Sequence, residues 1–147
     1  MKLLLLGATG LVGRNVFAQA LAHPSITQVI APTRKTLPER DKLINPVALH
    51  IHELLPEMRD WKPDAVINAT GTTVKKVGSR EAFRIVDYDL PLSFAQAAYK
   101  EGAQNYALVS AIGASLTSSI AYARIKAELE RDVQKSALSR LPSCDPA

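Results

Sequence analysis

Cysteine is nearly absent from this chain of 147 residues, and the one present, Cys144, excludes an internal disulfide framework. It stands close to the chain end, which gives no ground for a catalytic nucleophile. Aromatic residues make up only 5% and do not alternate with the basic ones. A net charge of +4 and a pI near 9.3 are mild. No nucleic-acid partner is expected from that pattern. Long apolar runs are also missing: glycine ends the leucine run Leu3 to Leu6 after four residues, whereas a secretion signal needs roughly 7–15 and a membrane span roughly 20. These absences lead to the expectation of a cytoplasmic protein without a membrane partner. Histidine is scarce, and His50 and His52 lack the further ligands of a metal cluster. No metal site is expected.

What is present is the composition of an ordinary folded domain, 47% apolar and 22% charged. The length suits one core and is too short for a cofactor domain plus a full-sized substrate domain. Leu3 to Leu6 read as a central strand buried on both faces. The apolar positions Leu11, Val12, Val16, Phe17, Ala20 and Leu21 follow at helical period and stop at His23-Pro24. Further strands are predicted over Thr27–Ala31, Val47–Ile51, Ala65–Ala69 and Tyr106–Val109. Ser79–Glu101 reads as helical, with Ser79 or Asp89 as an N-cap and Pro91 kinking it or opening a second piece. A small-residue loop, Ser110–Ser119, leads to a charged amphipathic helix from Ala121 to about Lys135. The alternation predicts an α/β fold, a Rossmann-type doubly wound parallel sheet of about five strands. Residues 1–135 form the domain and 136–147, with Pro142 and Pro146, an irregular tail.

The segment joining the first strand to the first helix is Gly7-Ala8-Thr9-Gly10-Leu11-Val12-Gly13. A pyrophosphate needs backbone without Cβ and N–H groups aimed at it, and glycines at a helix N-terminus supply both. The spacing is G-x-x-G-x-x-G rather than the G-x-G-x-x-G of the standard fingerprint, so its place between strand and helix carries the reading. Coenzyme choice is read after the second strand, where Ala31-Pro32-Thr33-Arg34-Lys35 offers two cations and no carboxylate. That favours the 2′-phosphate of NADP over the free ribose of NAD. Arg14 follows the last glycine and is a further candidate for the phosphates. Tyr122 and Lys126 stand four apart on a predicted helix. An ammonium near a phenol stabilises phenolate, and the pair suits proton exchange with a substrate oxygen.

The glycine spacing, the turn Asn68-Ala69-Thr70-Gly71, Ser110 and the Tyr122/Lys126 pair together resemble the short-chain dehydrogenase/reductase superfamily. Gly7 to Arg14, Gly71 to Ser79, Val86-Asp87-Tyr88-Asp89 and Tyr122 to Glu128 are similar to its atypical NAD(P)-binding members. These are the sugar-epimerase-like oxidoreductases related to the HIV Tat-interacting protein of 30 kDa. The resemblance implies that Gly7, Thr9, Gly10, Leu11, Val12, Gly13 and Arg14 hold the coenzyme phosphates, and Arg34 and Lys35 the 2′-phosphate. It also implies that Thr70 and Gly71 run past the adenosine half, that Tyr122 is the acid–base and that Lys126 binds ribose. Ser110 takes the place of the superfamily's catalytic serine, with Ser115, Ser118 and Ser119 as alternatives. The activity implied is NADP-dependent oxidation or reduction of an alcohol or carbonyl of small-molecule size, with a homodimer as a candidate assembly. Such proteins continue into a sixth strand and a substrate-covering segment. Ser139 to Ala147 has no matching apolar run, for which a truncated reading frame, an altered one and a fragment are the alternatives. A coenzyme-binding regulatory or interaction protein without turnover is the alternative, and a nonfunctional remnant a third.

Overall fold

The computed structural model describes residues 1–71, 78–109 and the helix at 121–138. Thr72, Thr73, Ser110, the loop to Ser119 and the tail from residue 139 lie outside the described residues, as does the Tyr122 side chain. Five strands, β1 (Lys2–Leu6), β2 (Gln28–Ile30), β3 (Leu43–Ile44), β4 (Ala65–Asn68) and β5 (Asn105–Leu108), form one parallel sheet in the order β3-β2-β1-β4-β5. This is the Rossmann order, which reverses direction between β1 and β4.

The leucine run explains why β1 is central. Side chains alternate along a strand, so Leu4 and Leu6 join one core layer and Leu3 and Leu5 the other. The first layer packs on Phe94, Ala98, Leu129 and Val133. The second packs on Ala20, with Val16 and Phe17 at its edge, from helix α1 (Leu11–Ala22). Buried apolar side chains thus cover both faces of β1.

The third strand departs from expectation. Val47–Ile51 is not a strand; β3 lies earlier, at Leu43–Ile44, and Val47 makes only an isolated bridge to Thr33. Pro46 has no N–H to give a ladder and interrupts the pairing at that point. The chain then enters a 3₁₀ helix, Ile51–Glu57, followed by the single turn α2 (Met58–Trp61).

The predicted long helix exists in two pieces, α3 (Arg80–Arg84) and α4 (Leu90–Lys100), joined by a widened π turn, Ile85–Asp89. Ser79 caps the first, its hydroxyl accepting the Ala82 N–H at 3.1 Å. Pro91 accounts for the widening. In a regular helix its ring would press on the Asp87 carbonyl and leave that carbonyl without a donor, and the wider turn relieves both. The end of α4 is a Schellman closure: Ala103 N–H donates to Ala98 O at 3.0 Å and Gly102 N–H to Tyr99 O at 3.1 Å. Gly102 sits there at φ +107°, where a side chain would be strained.

Helix α5 (Ala121–Leu138) lies along the π turn and α4. Arg84 pairs with Glu128 at 2.8 Å and stacks 4.1 Å above the Tyr88 ring, and the Tyr88 hydroxyl donates to Asp132. The Arg131 guanidinium and then the Tyr88 hydroxyl hold the Asp132 carboxyl below its ordinary range. Asp132, followed by burial, pushes the Tyr88 phenol up. Stability from the lowered carboxyl is present above about pH 4 and is lost as pH falls through its folded value. Stability from the raised phenol is present below about pH 10 and is lost as pH rises through its folded value. Tyr88→Phe should cost about 1 kcal/mol at neutral pH, with the alkaline loss removed and the acid loss reduced. Urea unfolding between pH 3 and 11 checks this, and a pH profile parallel to wild type would count against the assignment.

Candidate functional site

At the switch between β1 and β4, the carboxyl ends of the strands open into a cleft of about 470 Å³. Open parallel sheets bind ligands at such a point. Its floor is the turn from Gly7 to Gly10, facing Thr70 and Gly71 across the gap, and Thr33 and Arg34 stand on its β2 side.

Each glycine of the loop has a separate physical task. Gly7 turns the chain at φ +82°, and a Cβ there would meet the Ala69 carbonyl carbon at 2.6 Å. A Cβ on Gly13 would lie 1.7 Å from the Gly7 carbonyl oxygen, so only glycine lets α1 approach the strand this closely. Gly10 differs from both, being exposed with its nearest neighbour at 3.5 Å. It is the N-cap of α1, with no side-chain cap and no acidic residue in the first turn. These are the three tasks of the dinucleotide fingerprint, a tight turn, room for a pyrophosphate and helix packing, at altered spacing. The first turn of such a helix presents N–H groups and the positive end of its dipole. The residues present therefore fit a dinucleotide.

The β4 exit is shaped by Asn68, which is fully buried. Its Oδ1 accepts the Thr70 N–H at 3.0 Å and the Thr70 hydroxyl at 2.6 Å. Beneath that turn lies a pair that sequence reasoning only half foresaw. Lys126 is 1% exposed, pairs with Asp87 at 3.0 Å and donates to the Thr70 carbonyl at 3.1 Å. Asp87 is fully buried, and the widened turn at Pro91 carries it. The pair ties the tyrosine helix, the π turn and the Thr70 side of the cleft together.

The structure brings Gly7, Thr9, Gly10, Arg34, Thr70 and Gly71 to the cleft. Leu11, Val12 and Gly13 belong to the first turn of α1 behind it, and Arg14 and Lys35 are exposed outside its lining. Lys126 lies below the Thr70 turn rather than in the lining. Sequence reasoning missed the wall formed by Leu49, His50, Ile51 and His52: it placed Val47–Ile51 in a strand and read the two histidines as strand or loop residues. The two imidazole rings stand 5.8 Å apart there. Their position just after the third strand was the available signal. Among the described residues no group of His, Cys, Asp and Glu could hold a metal ion, and no helix is long and apolar enough to cross a membrane.

The family model for the NAD dependent epimerase/dehydratase family matches residues 3–139. The chain belongs to that family. Among solved structures, the epimerase/dehydratase chain is similar to the Bordetella bronchiseptica enzyme WbmG, crystallised with NAD, at a TM-score of 0.74 and 17% identity over 92% of this chain and 49% of that one. A short chain dehydrogenase family protein of Francisella tularensis gives a TM-score of 0.73 at 13% identity, covering 94% and 63%. These likenesses show the fold. Among curated proteins, "Protein fmp52, mitochondrial" of Emericella nidulans is 33% identical over 144 residues, 92% of this chain and 61% of that one. FMP52 of Saccharomyces cerevisiae is 34% identical over 136 residues, 90% and 59%. The chain thus spans about 60% of the length of these relatives.

The relatives correct the expectation of a cytoplasmic protein, since they are named as mitochondrial. The expectation rested on lacking a secretion signal and a membrane span. Neither bears on mitochondrial targeting, which depends on amphipathic, arginine-rich segments.

The buried pair yields a direct test. Asp87→Ala takes the carboxylate from an ammonium that is 1% exposed, and should cost about 3–5 kcal/mol in urea unfolding. Replacing both partners, Asp87→Leu with Lys126→Met, should cost clearly less than Asp87→Ala alone. A double variant at least as unstable as the single one would contradict the pairing.

Proposed function

We propose that this epimerase/dehydratase-family chain binds NADP(H) in the cleft between β1 and β4 and serves an oxidoreductase acting on a carbonyl or alcohol. In kind it would be one of the atypical reductases related to the HIV Tat-interacting protein of 30 kDa. The observation that carries the reading is that Gly10, at the uncapped start of α1, and Arg34 line one and the same cleft. A dinucleotide phosphate needs the first, and a 2′-phosphate needs a cation such as the second.

The bound coenzyme would supply hydride exchange at its nicotinamide. The chain's own residues supply the rest. The α1 N-terminus would hold the pyrophosphate with N–H groups and a favourable dipole. Arg34 and Lys35 attract the extra phosphate, and the missing carboxylate at 31–35 leaves no strong acceptor for the ribose hydroxyls of NAD. Tyr122, one turn before Lys126 on α5, would pass a proton to or from the substrate oxygen.

The burial of Lys126 favours a second reading, coenzyme binding without turnover. An ammonium held by Asp87 and the Thr70 carbonyl is engaged in the fold, which suits a structural lysine. Under that reading Tyr122→Phe leaves no activity to lose across a panel of carbonyl substrates.

Titration of reduced-nicotinamide fluorescence tests the main reading. Arg34→Ala with Lys35→Ala should weaken NADPH about tenfold or more, the worth of a charge-assisted contact, while NADH changes little. Equal loss for both coenzymes would overturn the 2′-phosphate assignment.

A further inference from the structure

The loop that carries Arg34 is tied down by a residue outside the cleft lining. The Asn45 amide uses both of its ends: Nδ2 donates to the Ala31 carbonyl at 2.7 Å and to the Thr33 hydroxyl at 2.8 Å, and Oδ1 accepts the Leu37 N–H at 2.8 Å. The Thr33 hydroxyl in turn donates a hydrogen bond to the Lys35 carbonyl at 2.7 Å. Backbone bonds from Thr33 N–H to Pro46 O at 3.0 Å and from Ala48 N–H to Thr33 O at 3.1 Å fix the same residue from its other side. Thr33 is buried and Arg34, next to it, is exposed at the cleft. The backbone is therefore held at positions 31, 33, 35 and 37, on both sides of the arginine.

A cation at the end of a long side chain gains most from a phosphate when its backbone is already in place, because less ordering is left to do on binding. We infer that Asn45 is a positioning residue for coenzyme choice: through Thr33 it holds the 31–37 loop so that Arg34 meets the 2′-phosphate. This rests on the NADP(H) reading above. Asn45 follows β3 directly and precedes Pro46, so the early end of β3 places an amide against the end of β2. A longer ladder would leave that side chain on one face of the sheet instead.

The test compares dissociation constants for NADPH and NADH in wild type, Asn45→Ala, Arg34→Ala/Lys35→Ala and the triple variant. Asn45→Ala should weaken NADPH about three- to tenfold, the worth of one or two ordering hydrogen bonds, with NADH unchanged. Added to the Arg34/Lys35 double variant, it should lower the preference no further. Thr33→Val, which breaks the same chain at its hydroxyl, should act like Asn45→Ala, and Thr33→Ser should keep the preference of wild type. These two carry the test if Asn45→Ala fails to fold. Equal weakening of both coenzymes by Asn45→Ala, or an intact preference where the Arg34/Lys35 variant has lost it, would overturn the positioning role alone. An intact preference in the Arg34/Lys35 variant would overturn the 2′-phosphate reading and the inference with it.

Discussion

Everything in this molecule depends on how closely two backbones approach at the end of β1. Gly7 passes against Ala69, and Gly13 brings the first turn of α1 onto the Gly7 carbonyl, with no space at either position for one more carbon. That closeness sets the helix on the sheet and aims its N-terminus at the gap between β1 and β4. It leaves Gly10 as the glycine of the three that a side chain would not crowd. Packing at Gly7 and Gly13 therefore fixes where the uncrowded backbone at Gly10 stands.

A second layer of organisation lies below the cleft and beside it. The Asp87–Lys126 pair holds the Thr70 turn from beneath, and Asn45 with Thr33 holds the loop after β2 from the side. Buried ion pairs add little net stability against an apolar alternative. Their worth is in fixing where a turn runs. Proline contributes to both devices: Pro91 imposes the π turn that carries Asp87 inward, and Pro46 ends the β3 ladder beside Asn45.

How much of this was legible in the sequence follows from which forces act locally. The leucine run, the glycine loop and Ser79 as one of two cap candidates are set by periodicity and by steric demands within a few residues, and could be read directly. The strand at Val47–Ile51 was misplaced because its apolar residues look like a strand, while the Pro46 interruption depends on pairing with a distant partner. Asp87 was visible in the segment Val86 to Asp89, but its role needed Lys126, thirty-nine positions later. The wall at Leu49–His52 comes into view only when the third strand is seen to end at Ile44. The cytoplasmic expectation failed for another reason, since no property of the folded core encodes an address.

The central claim is that the cleft at the β1–β4 switch is a coenzyme site whose phosphate ends are Gly10 and Arg34. Amide NMR of the protein titrated with NADPH tests it most directly. The account predicts the largest shifts at Gly10 to Gly13, at Thr70 and Gly71, and at Arg34, with the Arg34 shift much smaller for NADH. No saturable shifts, or shifts centred on the groove around Arg59 and Lys100 on another part of the surface, would contradict it.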